Sequence, residues 1–191
     1  MADIDNAWLL VIDPQVIFAH PTSQWAAPRF PEAIAVAARL APRFGPRVLV
    51  TRWVPDPDPK GSWAAYFERW PFAARPADDP LFDLMPEVQG LSRYPTLDCT
   101  TFSKWGLKLR SLAGPTPHLV LTGVCTDCCV LATALAAADG GATVTVVADG
   151  CAASCDENHA AGLHVMRQYE PQIVVVDADD LHVGHAGAPG R

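Results

Sequence analysis

Five stretches of the chain are apolar at nearly every position. They are WLLVI (8–12), VLVT (48–51), HLVLT (118–122), TVTVV (143–147) and IVVV (173–176). A strand with one wet face alternates apolar and polar residues, whereas a strand covered on both faces does not. These runs therefore demand helices above and below a sheet. Helical patterns lie between them, at 31–44, 104–113, 128–138 and 157–169. The first carries Pro31 in its opening turn, and the third stops at Asp139-Gly140-Gly141. A weaker strand is expected at 91–95. Alternating strand and helix, with right-handed connections, gives an α/β fold. The expectation is a three-layer sandwich on a mostly parallel, six-stranded, Rossmann-like sheet, with 1–191 as a single domain.

Residues 55–86 break the pattern. They carry many prolines, Asp56, Asp58, Asp78 and Asp79, and the aromatics Trp63, Tyr66, Phe67, Trp70 and Phe72. So aromatic a segment does not read as a disordered linker. A long insertion of this kind reads as a lid or a subunit contact.

Charge excludes some partners. The net charge is −7, and no basic block is present to meet phosphates, which argues against nucleic acid and anionic membranes. No run approaches the ~18 apolar residues of a membrane span. The start, MADIDNAWLLVIDP, does not read as a signal peptide. A cytoplasmic location with reduced thiols is expected.

Three of the six cysteines, Cys125, Cys128 and Cys129, fall within LTGVCTDCCV. A zinc site needs a second closely spaced pair or suitable histidines, and Cys151 and Cys155 are spaced too widely, so no metal is expected. Reduced thiols weaken the disulfide reading. A nucleophile remains. Cys129 falls at a helix start, where the N-terminus favours the thiolate and N–H groups can hold an oxyanion. Ligands of open parallel sheets bind at the carboxyl ends of strands. Asp13 ends the first strand, and Asp149 ends the fifth. Each has a plainer reading: Asp13 as a turn former before Pro14, and Cys129 as a small buried hydrophobe.

The segment GVCTDCCVLATALAA resembles the nucleophile motif of the isochorismatase-like cysteine hydrolases, which include nicotinamidases and N-carbamoylsarcosine amidohydrolases. Gly123, Thr126, Asp127, Cys129, Val130 and Thr133 match it. Asp13, Gln15 and Phe18 match an N-terminal D-x-Q-x-x-F, and 148–152 and 159–163 match the tail. The resemblance implies an Asp, Lys and Cys triad, with Asp13 taking the thiol proton and Cys129 attacking a carbonyl or nitrile carbon to form a covalent acyl-enzyme. It also implies a cis peptide at Val124–Cys125 that aims N–H groups at the substrate oxygen, and self-association as a dimer or tetramer. No cofactor is implied.

The sequence departs from that pattern at the lysine. The matching segment is CTTFS, which puts Cys99 in the lysine position. Lys104 follows in FSKWG and could substitute if its backbone turns inward. The metal-binding D-x-H of nicotinamidases is replaced by Trp53 and Pro55. Two functions remain open. One is hydrolysis of a C–N bond in a small amide, ureide or related acyl substrate. The other is a small-molecule binder that lost the lysine. Redox chemistry at Cys125 and Cys128 is a third reading, but it leaves Asp13 without a role. Phe18, Trp25, Trp105 and the insertion are expected to shape the pocket, with Val124, Cys125 and Cys128 beside the nucleophile.

Overall fold

The computed structural model describes residues 2–182. Six strands form one all-parallel sheet: β2 (Trp8–Ile12), β3 (Val48–Trp53), β4 (Leu97–Cys99), β5 (His118–Val124), β6 (Thr143–Ala152) and β7 (Ile173–Val176). Their order is β4-β3-β2-β5-β6-β7. The short strands β1 (Ala2–Asp3) and β8 (Leu181–His182) pair separately, also in parallel.

Alternate side chains of β2 go to opposite faces, as the pleat requires. Leu9 and Val11 join a core built with α2 (Phe30–Leu40), while Leu10 and Ile12 join a second core. That second core is closed by α4 (Leu107–Ala113), α5 (Leu131–Asp139) and α6 (Asp156–Arg167). All four of these β2 residues are completely buried. Burying each such side chain is worth about 1.5–3 kcal/mol. The strand's position is thereby fixed, and Asp13, its neighbour in sequence, is carried inside.

The helices follow the same logic. α2 buries Phe30, Ala33, Ile34, Ala37 and Leu40, a three–four spacing that gives one apolar stripe. α5 buries Thr133, Ala134, Ala137 and Ala138, whose small side chains let it lie close to the sheet.

Two expectations on local structure are corrected. The strand expected at 91–95 lies at Leu97–Cys99. In its place the Ser92 hydroxyl bonds the Val48 carbonyl at 2.8 Å, and Arg93 stacks on Tyr94. Asp149 does not end a strand at the ligand edge. It lies within β6, and its carboxylate accepts the Ala178 N–H at 2.8 Å.

The 55–86 insertion folds as α3 (Ser62–Arg69) and short 3₁₀ turns at Pro71–Ala73 and Pro80–Phe82, before a further turn at Pro86–Val88. Its far end is stitched to the loop after β2. The Val16 N–H donates to Asp83 O at 3.0 Å, and the Met85 N–H to Pro14 O at 2.9 Å. Short α1 (Val16–Ala19) starts at the same place.

Candidate active site

Connections from β2 run outward through β3 to β4, and those from β5 run outward the other way to β7. β2 and β5 are neighbours. A crevice opens at such a switch point, beyond the carboxyl ends of the strands. Asp13 enters it from β2 and the cysteine segment enters from β5.

The two strands approach closely there. Gly123 has φ +109°, and a Cβ on it would sit inside the Ile12 carbonyl. Only glycine meets both conditions. The next peptide bond, Val124–Cys125, is cis.

Asp13 is fully buried and holds φ +51°. This is the left-handed region, which aspartate tolerates better than most residues. Thr51 on β3 fixes it twice. The Asp13 N–H donates to the Thr51 hydroxyl at 3.2 Å, and that hydroxyl donates to Asp13 Oδ1 at 2.7 Å. Oδ2 meets the Lys104 ammonium at 2.8 Å, and both side chains are sealed from solvent. Apart from that ion pair, Oδ2 takes no hydrogen bond.

The Lys104 ammonium also donates to Thr101 O at 3.2 Å. Burial pulls the ammonium's pKa down, but Asp13 and Cys129 outweigh burial and raise it above the ordinary lysine value. The loop 100–103 turns Lys104 inward, so the buried cation comes from position 104. Cys99 stands at the end of β4, half-buried, with its thiol toward Leu97 O at 3.8 Å.

Cys129 is 4% exposed and lies in a π-helical turn, Thr126–Val130, that leads into α5. The N–H groups of Cys128 and Val130 both point to Cys125 O, at 3.0 and 3.1 Å. The Cys128 and Cys129 thiols are close enough for each to shift the other. Interaction with the Cys128 thiol raises Cys129 well above an ordinary thiol; burial adds to the effect and Lys104 opposes it. The same interaction lowers Cys128. The pair therefore holds its protons jointly. Among the described residues no three Cys, His, Asp or Glu side chains converge as a metal site, and all six cysteines are free thiols.

A cavity of about 220 Å³ opens over this turn. Phe18, Cys125, Cys128 and Cys129 line it, as do Trp25, Trp53, Tyr66, Trp70, Phe102 and Asp127. The insertion thus supplies two walls, Tyr66 and Trp70. Burial, followed by the neighbouring cysteines, pushes the Tyr66 phenol well up, so it stays a neutral O–H. Trp53 is held by Gln15, which takes its N–H at 2.8 Å and donates to its carbonyl at 2.9 Å. The Trp53 indole N–H is buried without a partner.

Two residues expected at the pocket lie elsewhere. Trp105 packs over Gly140 at the end of α5, where a Cβ would strike its indole, and Arg110 stacks on it. It faces away because Lys104, its neighbour in the chain, takes the inward direction. Val124 is completely buried in the core and meets the site only through its backbone. Thr51 belongs to no motif in the sequence, and Gln15 and Thr133 stand there only as motif matches. A buried polar residue at a strand end was the available signal for Thr51.

This is a doubly wound, all-parallel α/β architecture whose candidate site lies at the sheet's switch point. The isochorismatase domain model matches residues 7–180, and the chain belongs to that family of hydrolases. An isochorismatase-like hydrolase from Alkaliphilus metalliredigens superimposes with TM-score 0.75 at 22% identity, over 93% of this chain and 96% of that one. A cysteine hydrolase from Pseudomonas syringae pv. phaseolicola gives TM-score 0.78 at 15% identity, over 94% and 93%. The MAR1 ribonuclease from Caenorhabditis elegans gives 0.69 at 21%, over 93% and 80%. At such identities the likeness is one of fold. No curated protein matches the sequence. Among the described residues no helix is long and apolar enough to cross a membrane.

Proposed function

We propose that this chain is a cysteine hydrolase that cleaves a C–N bond in a small amide, ureide or related acyl compound through a thioester on Cys129. The observation that carries the reading is the solvent-sealed pair of Asp13 and Lys104, 2.8 Å apart, within electrostatic range of the Cys129 thiol. A buried ion pair with one carboxylate oxygen otherwise unused is costly to keep. A proton acceptor beside a thiol gives it a use.

Asp13 Oδ2 takes the Cys129 proton as sulfur attacks the carbonyl carbon. The raised thiol value favours proton transfer in step with attack over a thiolate formed in advance. The Lys104 ammonium stabilises the negative charge passing between carboxylate and sulfur. The Cys128 and Val130 N–H groups are committed to Cys125 O, which leaves those of Cys125 and Cys129 as candidates to hold the oxyanion. The protonated Asp13 then gives its proton to the leaving nitrogen as the C–N bond breaks. Water, deprotonated by Asp13, attacks the thioester, and a carboxylic acid leaves with the thiol restored.

The binder alternative rested on Cys99 in place of a lysine. Lys104 weakens it by supplying an ammonium from a neighbouring position. A cavity of about 220 Å³ suits a small molecule. A cytoplasmic location and a homo-oligomeric state belong to the same reading, the first from composition and the second from the resemblance.

Two measurements test it. Iodoacetamide labelling mapped by mass spectrometry should mark Cys129, with Cys128 labelled first as pH rises. Ammonia or amine release across a panel of small amides should vanish in Cys129→Ala with the fold intact. Full turnover in Cys129→Ala, with Cys128→Ala dead, would move the nucleophile by one residue and sink this assignment.

A further inference from the structure

The cavity over Cys129 has an unusual wall. Six aromatic rings line it, and the lining contains Asp127 but no Lys, Arg or His. Asp127 Oδ1 is buried and has no hydrogen-bond partner. A carboxylate with one buried oxygen left without a donor at the edge of an aromatic cavity repels anions and lowers the cost of bringing in a cation. The rings act in the same direction, because their faces carry the negative end of the quadrupole.

Ring geometry narrows the shape. Trp25 stands at 71° to Trp53 and at 70° to Trp70, with centroids 5.3 and 5.9 Å apart. Walls that turn through nearly a right angle do not form a slot for a flat heterocycle. They suit a rounded group. Trp70 already has the Arg69 guanidinium over its ring at 5.1 Å, so Trp25, Tyr66 and Phe102 carry most of the contact. The chain's net charge of −7 favours approach by a cation.

We propose that the cavity selects substrates bearing a compact cationic head, an alkylated ammonium or comparable onium group, with Asp127 and the aromatic walls as its receptor. The proposal rests on the reading of Cys129 as the nucleophile only in placing the head next to the scissile bond.

Three soluble molecules of one shape and three charges test it on the intact protein. They are choline, its neutral isostere 3,3-dimethylbutan-1-ol, and the anion 3,3-dimethylbutanoate. Binding is read from tryptophan fluorescence and from protection of Cys129 against iodoacetamide. Choline should half-saturate at ~10-fold lower concentration than the alcohol, the scale of a desolvated cation over aromatic faces. The carboxylate should bind weakest. Asp127→Asn should reduce choline's advantage several-fold while leaving the alcohol unaffected. The alcohol or carboxylate binding as well as choline, or none of the three binding, overturns the proposal. The two readings fail separately. Labelled Cys129 without a preference for choline sinks the cation site alone. A preference for choline with unlabelled Cys129 sinks the nucleophile and leaves the cation site standing.

Discussion

The Thr133 hydroxyl holds the main chain of Lys104 by accepting its N–H at 2.9 Å. The same oxygen donates to the Cys129 carbonyl at 2.6 Å. One side chain on α5 therefore sets the ammonium-bearing loop against the thiol-bearing turn. Thr133→Val keeps the shape and removes both bonds. We expect turnover to fall by ~10-fold or more and stability by about 1–3 kcal/mol, the cost of buried polar groups left unpaired. Thr133→Ser should restore most of the rate. A valine variant with wild-type kcat and labelling rate would show that the bridge has no positioning role.

Lys104→Met keeps the aliphatic stem and removes the charge. Asp13 then stays buried without its counter-ion, at a cost of about 3–5 kcal/mol. Turnover should drop by ~10²-fold or more. Asp13 and Cys129 together hold the Lys104 ammonium above the ordinary lysine value. The wild-type rate should therefore show no alkaline fall from lysine below that value. Thermal unfolding and a pH–rate profile check the two halves, and an active, fully stable Lys104→Met refutes both.

The thiol pair gives a pH prediction with a definite sign. Interaction with the Cys128 thiol is the largest influence raising Cys129. Removing it in Cys128→Ala should move the pH dependence of Cys129 alkylation to lower pH. In the wild type, Cys128, which is lowered, should alkylate at lower pH than Cys129. Peptide mapping after short iodoacetamide pulses at a series of pH values reads both curves. An upward movement in the variant contradicts this account.

Gln15 fixes the pocket wall. Its amide donates to Trp53 O and Phe82 O, both at 2.9 Å, and accepts the Trp53 N–H at 2.8 Å. Gln15→Leu orphans three backbone groups at once. A loss of about 3 kcal/mol or more is expected, with altered tryptophan emission as Trp53 shifts. Unchanged emission and melting temperature would show that the wall stands without it.

The strands that fill the middle of the sheet were legible because they are wet on neither face. β4 was not: it is three residues long and at the sheet's edge, so no apolar run marks it. Asp13 could be placed because it follows a buried strand directly, and Cys129 because it falls at a helix start within a matching motif. Lys104 was ambiguous because spacing counts residues along the chain and does not give the path of the loop 100–103. Trp105 packs at Gly140, away from the cavity, because adjacent side chains diverge. Trp63, Tyr66, Phe67 and Trp70 of the insertion stand at helical spacing, but spacing gives a shared face and not the cavity that Tyr66 and Trp70 close.

The closeness of β2 and β5 bears on how activity is acquired. Thr122 on β5 reaches the Leu10 carbonyl across 112 positions of sequence, and Asp13 meets a lysine from yet another loop. Closing loops of that size costs chain entropy before any contact is gained, and pairings so distant form slowly. Neither half of the site can be preorganised within its own segment. Catalytic competence therefore arrives with the closure of the sheet's centre, and returning activity during refolding is a direct clock for that event.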